Sequence, residues 1–233
     1  MKMDRVIGQE GIKSHLIEAI KNGRIAHAQL FTGKKGSGGL PLALAYAQLI
    51  VANFSTGDWT EKPDESALIK SQKIVHPDIH FVFPVNKTDT IKPKDPVSDD
   101  FIHLFRKAII KNPYQGLNDW YNFIGIGNSQ GKIGVPEIVI LLKKLSLKPF
   151  ESKFKVIIIW MPELMNDQAA NKILKILEEP PKNTLFLLVS EDTDQLLPTI
   201  ISRTQIVKLA PLTDQEVASG LITQFKIPTA QAS

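Results

Sequence analysis

The sequence predicts an α/β protein in which helices cover both faces of a parallel β-sheet. Apolar, β-branched runs alternate with amphipathic helical patterns along most of the chain, as in a sheet built from strand–helix–strand units. The run Lys155–Trp160 is almost continuously apolar, which is typical of a parallel strand buried on both faces. The third indication is the order strand, glycine loop, helix: residues 28–31 are apolar, residues 33–39 contain four glycines, and residues 40–52 are rich in Ala and Leu.

Periodicity and turn residues place the individual elements. Helices are predicted at 9–22, 40–52, 101–111, 135–147, 167–179 and 214–225, and strands at 28–31, 79–83, 155–160, 184–190 and 205–209. The last helix begins with a capping box that runs from Thr213 to Glu216. Residues 53–75 are predicted to be an irregular surface excursion, and residues 84–134 an elaboration on the core. Four aromatic residues of this elaboration are expected to form a small separate core: Tyr114, Trp120, Tyr121 and Phe123.

Composition excludes several classes of function. The chain has 233 residues, 43% of them hydrophobic, a net charge of +4 and no cysteine. Without cysteine there is no disulfide framework, no thiolate nucleophile and no zinc site built on Cys, and we expect a reducing, cytoplasmic setting. The N-terminus has no apolar segment of the secretory type, and no apolar run is long enough to span a membrane. The mild positive charge permits contact with nucleic acid but does not establish it.

The glycine loop is the sharpest local feature of the sequence. A working P-loop follows the pattern G-x-x-x-x-G-K-[ST], in which backbone amides cradle phosphates, the Lys neutralises them and the hydroxyl binds Mg²⁺. The predicted phosphate loop carries its glycines at Gly33, Gly36, Gly38 and Gly39, so that a glycine occupies the Lys position. Leu40 occupies the hydroxyl position. We therefore expect this site to be empty of nucleotide; a glycine turn that only joins strand to helix is equally compatible with the pattern.

A second catalytic element is also missing. ATP hydrolysis in such folds needs acidic residues at the end of a neighbouring strand, where they hold Mg²⁺ and the attacking water. The predicted strand 155–160 ends in Trp160-Met161, and Glu163 comes too late to take the place of either acid. The sequence therefore predicts no efficient hydrolysis, no cofactor and no metal site.

Short motifs along the chain resemble those of the delta-prime subunits of bacterial DNA polymerase III, within the AAA+ clamp-loader family. The matching segments are Ile7–Glu10, His27–Gly33, His76–Asp78, Lys155-Val156, Asn171–Pro181 and Leu197–Arg203. The resemblance covers about 1–83 and 135–225, and leaves residues 84–134 unaligned. It implies an AAA+ nucleotide-binding-like domain at 1–209. Residues 210–233 would then be the truncated start of a small helical lid domain.

The resemblance also implies roles and partners. Ser202-Arg203 matches the Ser-Arg motif of the family, in which the arginine acts in trans at the nucleotide site of an adjacent subunit. The implied partners are the gamma/tau ATPase and delta subunits, the sliding clamp and primer–template DNA; no membrane contact is expected. The chain departs from the family at residues 53–75, where a four-cysteine zinc module is usual and this chain has no cysteine.

Two alternative functions remain open from the sequence. One is an active clamp-loader ATPase of gamma/tau type that uses Lys34 or Lys35 and Glu163 as unconventional catalytic groups. The other is an AAA+-like module that binds DNA directly through the elaboration at 84–134. We rank the non-hydrolysing clamp-loader subunit first, the DNA-binding module second and the unconventional ATPase third.

Overall fold

The protein folds around a parallel sheet with helices on both of its faces. A computed structural model describes residues 1–55, 57–127 and 129–228. The strands are β1 (Ala28–Thr32), β2 (Ile79–Val82), β3 (Lys155–Trp160), β4 (Thr184–Ser190) and β5 (Gln205–Lys208). The helices are α1 (Glu10–Lys21), α2 (Gly39–Asn53), α3 (Glu65–Gln72), α4 (Ser98–Lys111), α5 (Leu117–Ile124), α6 (Val135–Leu145), α7 (Asp167–Glu178), α8 (Pro198–Ile201) and α9 (Asp214–Phe225).

All strand pairs in the sheet are parallel, in the order β2-β3-β4-β1-β5. Because the strands are parallel, every strand ends at the same carboxyl edge of the sheet, and every strand begins at the opposite, amino edge. All six residues of β3 are buried, as the apolar run predicts. Among the residues described, no helix is long and apolar enough to cross a membrane.

Alternate residues of β3 face two separate hydrophobic layers. Val156 and Ile158 pack with α1, α2, α4 and α5 on one face, and Ile157 and Ile159 pack with α6, α7 and α8 on the other. This alternation follows from the period of two along a strand. The predicted fold class, a parallel sheet covered on both faces, is therefore confirmed.

Every predicted helix and strand is found, with bounds that differ from the expected ones by at most three residues, and the elements that were missed are short helices. Residues 53–75 were expected to be irregular, yet α3 lies within them, capped by Asp64, whose side chain accepts a hydrogen bond from the Ala67 N–H. Helices α5 and α8 were not predicted either. Each is eight residues or shorter, so that neither shows more than about two turns of periodicity.

The aromatic residues of the elaboration do not form a separate core, and that prediction is wrong. Trp120 is fully buried in the main core, edge-on to Phe83 and Phe105, whose rings are stacked 4.0 Å apart. The indole Nε1–H donates to the Pro84 carbonyl at 2.9 Å. The segment between β2 and α6 is thus continuous with the core, because its apolar side chains complete one face of the sheet.

Candidate functional site

Loops that follow three adjacent strands meet at the carboxyl edge of the sheet. The glycine loop follows β1, Trp160 ends β3, and Glu191 follows β4, and all three line one small cavity. In α/β sheets, ligands bind in the crevice outside the carboxyl ends of the strands. This edge is therefore the first candidate functional site of the fold.

The glycine loop has the backbone of a phosphate-binding turn. Gly36 and Gly38 have φ values of +86° and +85°, in the left-handed region that strains residues with a Cβ. Gly38 is the N-cap of α2, so the first N–H groups of this 15-residue helix face the loop. Such a helix N-terminus favours an anion through its free amides and its dipole. The loop thus keeps the main-chain geometry of an anion site.

The side chains that would complete a P-loop are not at its helix. Gly39 and Leu40 occupy the Lys and hydroxyl positions, and Leu40 is buried. A Cβ on Gly39 would lie 3.1 Å from Cγ1 of Val189 in β4, which is a tight contact. Lys34 and Lys35 are exposed on the outer part of the loop, as expected from the sequence.

Residues 113–115, in the turn between α4 and α5, cover the glycine loop. Pro113, Tyr114 and Gln115 line the cavity beside the loop glycines, and its volume is about 30 Å³. Pockets for nucleotide-sized ligands usually measure about 300–1,000 Å³. Gln115 is buried, and within the described part of the chain its Nε2 has no hydrogen-bond partner. The cavity in this conformation is far too small for a nucleotide.

Tyr114 joins this turn to other parts of the molecule. Its hydroxyl accepts a hydrogen bond from the backbone N–H of Ile7 at 2.7 Å. Its ring lies edge-on to Phe225 of α9, with centroids 6.3 Å apart. A Cβ on Gly38 would lie 3.6 Å from the Tyr114 ring, in ordinary van der Waals contact. Burial raises the pKa of Tyr114, so the hydroxyl stays protonated through the neutral range.

One oxygen of the Glu163 carboxylate is engaged in local structure near this edge. Glu163 accepts hydrogen bonds from the backbone N–H groups of Glu191 and Asp192, at 2.9 and 3.3 Å. Burial raises the pKa of Glu163. Burial also raises the pKa of Glu191, and the positive charge of Lys35 offsets part of that rise. Glu163 does not line the loop cavity. This arrangement argues against Glu163 as a group that activates water beside the loop.

Arg203 lies at the opposite edge of the sheet. It follows α8 and precedes β5, so it stands at the amino edge, whereas the glycine loop follows β1 at the carboxyl edge. Its guanidinium donates to Oε2 of Glu178 through Nε and Nη2, both at 3.2 Å, and to the Thr199 carbonyl at 3.1 Å. Ser202 is exposed, and its hydroxyl donates to the same carbonyl at 3.2 Å. Arg203 keeps 31% of its side chain exposed.

The structure brings some of the sequence-predicted residues together and separates others. Gly33, Gly36, Gly38 and Gly39 all line the loop cavity, with Trp160 at its wall. Arg203 and Ser202 lie at the opposite, amino edge of the sheet. Consequently, the arginine of one chain cannot serve the phosphate loop of the same chain in this conformation.

Sequence reasoning missed the residues that cover the loop. Tyr114 was assigned to a separate aromatic core and Gln115 was not singled out, although both line the cavity. Their roles depend on how a long segment folds back over the sheet, and no local pattern reports that. The one usable signal is the dipeptide Asn112-Pro113, which marks a turn between two helices.

The sheet order, the glycine loop after β1 and the helices on both faces define an α/β protein with the AAA+ fold. The RuvB Holliday junction branch migration motor of Thermotoga maritima has a similar structure. The two agree with a TM-score of 0.51 over 99% of this chain and 56% of the other, at 15% sequence identity.

The chain belongs to the DNA polymerase III delta subunit family, whose sequence profile matches residues 8–213. It is 30% identical over 220 residues to DNA polymerase III subunit delta′ of Bacillus subtilis, covering 94% of this chain and 53% of that protein. It is 31% identical over 106 residues to the delta′ subunit of Escherichia coli, covering 46% and 32% of the two chains.

A relative from the tau/gamma branch is similar to this chain at lower identity. DNA polymerase III subunit tau/gamma of Haemophilus influenzae is 26% identical over 226 residues, covering 96% of this chain and 26% of that protein. The chain therefore spans about half of the Bacillus subtilis delta′ subunit and about a quarter of this tau/gamma subunit. The resemblance to delta-prime subunits drawn from the sequence is confirmed.

Proposed function

We propose that this chain is a non-hydrolysing subunit of a DNA polymerase III clamp loader that supplies Arg203 in trans to a neighbouring ATPase subunit. In this role it acts in the cytoplasm beside a gamma/tau-type ATPase and a delta subunit. The assembly loads the sliding clamp onto primer–template DNA. The single observation that carries the proposal is the position of Arg203, outside the reach of its own phosphate loop and partly exposed.

The composition of the loop supports the non-hydrolysing role. Gly39 and Leu40 replace the Lys and the hydroxyl residue that hold phosphate and Mg²⁺. Trp160 and Met161 stand where acidic residues would hold the metal and the attacking water, and both are buried. The cavity of about 30 Å³ adds a steric obstacle. Each of these features alone would slow ATP hydrolysis, and they occur at the same edge.

The local structure of Arg203 supports a role toward a partner. The segment Leu197–Arg203 places the arginine just after α8, where it pairs with Glu178. A pair of exposed charged groups contributes only about 0–1 kcal/mol, so a stronger anion on another chain can take over the guanidinium. A planar guanidinium stabilises the charge that develops on a transferring γ-phosphoryl group.

Replacement of Arg203 in a reconstituted complex tests the proposal. The complex is assembled so that only the ATPase subunit adjacent to this chain has an intact P-loop, and DNA-stimulated ATP turnover is measured. Arginine fingers contribute about 10³–10⁵ in rate in comparable GTPases, so we expect Arg203→Ala to lower turnover by at least about 10³. Arg203→Lys should fail similarly, because lysine lacks the planar fork.

The matched control is Lys182→Ala, which removes an exposed cation from the turn before β4 at the same edge. We expect this variant to leave turnover within about twofold of the wild type, because a solvated cation distant from the reacting phosphate adds little. Size-exclusion chromatography establishes that both complexes assemble. Unchanged turnover in an assembled Arg203→Ala complex would refute the role in trans.

The structure does not favour the direct DNA-binding alternative. Trp120 and Tyr121 are buried in the core, so their rings cannot stack on the bases of a single strand. Phe123 is 41% exposed, but one ring is not a stacking platform. The clamp-loader role therefore remains the better-supported function.

A further inference from the structure

The space over the phosphate loop is filled by the chain itself. Among the described residues, the cavity is walled on one side by the glycine loop and on the other by Pro113, Tyr114 and Gln115. The turn also approaches the loop closely at Gly116, where an added Cβ would lie 2.9 Å from Cε of Lys35. The turn therefore lies next to the loop, with the Lys35 side chain beside Gly116.

Tyr114 contacts three separate segments at this point. It meets the loop at Gly38, accepts a hydrogen bond from the Ile7 N–H, and packs edge-on against Phe225 of α9. A second link runs beside it, since Nε2 of Gln224 donates to the Arg5 carbonyl at 2.5 Å. Tyr114 is thus one of several contacts that join the glycine loop, the N-terminal segment and α9, since Nε2 of Gln9 also donates directly to the Ser37 carbonyl of the loop at 3.1 Å.

Tyr114 offers the same two kinds of group as a nucleotide base, an aromatic face and a polar edge. A base presents a flat aromatic surface together with a polar edge that bonds to backbone groups. Tyr114 presents an aromatic ring and a hydroxyl that accepts from a backbone N–H. The ring comes from the turn between α4 and α5, and both of these helices pack in the core.

We infer that Tyr114 is a built-in substitute for nucleotide, which closes the phosphate loop and holds α9 against the N-terminal segment when no nucleotide is bound. The inference extends the proposed non-hydrolysing role and rests on it only for the assumption that the loop is not a working ATPase site. Tyr114 is thus the residue that excludes nucleotide, in addition to the missing lysine and hydroxyl.

Hydrogen exchange of the full chain, followed by mass spectrometry, tests this inference. We expect Tyr114→Ala to speed exchange at least tenfold in three segments, residues 5–9, 33–41 and 214–225, while β3 and β4 keep their protection. Tyr114→Phe keeps the ring and loses the hydroxyl, so its effect should be confined to residues 5–9. The matched control is Phe123→Ala, which truncates an aromatic residue of α5 outside the loop cavity and should leave all three segments unchanged.

The second measurement adds a ligand probe. Inorganic pyrophosphate at millimolar concentration needs only the loop amides and the helix N-terminus, so it should restore protection of residues 33–41 in Tyr114→Ala and have no effect on the wild type. Protection of the wild-type loop by pyrophosphate would overturn the inference, because the loop would then be open. Unchanged exchange in α9, or no ligand effect in a folded Tyr114→Ala chain, would overturn it as well. The Arg203 experiment measures ATP turnover by a neighbouring subunit, whereas this one measures hydrogen exchange in the chain itself. Failure of one proposal is therefore distinguishable from failure of the other.

Discussion

The two edges of the sheet have opposite characters. At the carboxyl edge, the phosphate loop is covered by a turn from a distant part of the chain and retains a cavity of only about 30 Å³. At the amino edge, Arg203 is partly exposed and is held by one carboxylate and one carbonyl. The comparison teaches that a fold can keep the backbone of a ligand site while packing closes it, and can leave a cation partly exposed at the opposite edge.

The substitution with the largest expected effect tests whether the covered carboxyl edge depends on the core. Trp120→Ala removes a fully buried indole that contacts Phe83 and Phe105 beneath the covering turn. Large-to-small aromatic substitutions in cores cost about 3–5 kcal/mol, and we expect the free energy of unfolding to fall by that amount in urea titrations. Phe123→Ala serves as the control, since its partly exposed ring should cost less than half as much. Equal losses in the two variants would show that the cover is not part of the core.

The second-largest expected effect is a dependence of stability on pH, and it also concerns the carboxyl edge. Glu137 of α6 is 3% exposed, and its carboxylate accepts the backbone N–H of Ser98 at 2.6 Å, which ties α6 to α4. Burial raises the pKa of Glu137 from 4.5 to about 7. Since the folded protein binds this proton more tightly than the unfolded chain, stability is full below pH 4.5 and is lost as the pH rises through about 7.

Glu137→Gln removes this titration and keeps an oxygen that accepts from Ser98. At pH 8 we expect the variant to be more stable than the wild type by up to about 3 kcal/mol, and at pH 4.5 to differ little. Urea unfolding at several pH values measures the difference. Parallel stability curves for the two proteins would contradict the assignment of the titrating group.

The smallest expected effect concerns the amino edge, where Arg203 lies. A double-mutant cycle with Arg203→Ala and Glu178→Ala measures the coupling free energy of this pair, whose side chains are 31% and 59% exposed. Exposed ion pairs of this kind couple by about 0–1 kcal/mol, so we expect a value in that range, and lower at high salt. A coupling above about 2 kcal/mol would mean that Arg203 is fixed in place, and the contrast between the edges would fail.

Most of the fold could be predicted from the sequence because its strands and long helices carry their own patterns. The apolar run at β3 and the spacing of buried residues in α7 depend only on which face each residue occupies. The capping box at Thr213 is local as well, and it forms as expected, with the Glu216 N–H donating to the hydroxyl at 3.2 Å. Short helices such as α3 and α8 lack enough turns to produce a periodic signal.

The candidate site was predictable only in part. The glycine loop and Arg203 are encoded in short contiguous motifs, and the loop adopts the expected strand–turn–helix geometry. The cover over the loop is a tertiary feature, because Tyr114 meets Ile7 across 107 residues of sequence. Trp120 was assigned to a separate core for the same reason, since its partner Phe83 directly follows β2 and lies outside the elaboration.

The placement of the two regions at opposite ends of parallel strands has a consequence for how the sequence can change. A five-residue strand such as β1 spans about 16 Å, beyond the 7–10 Å within which substitutions usually influence one another. Changes that tighten or loosen the cover over the loop are therefore expected to combine additively with changes around Arg203. Each edge is free to accumulate substitutions under its own constraint, without epistasis from the other.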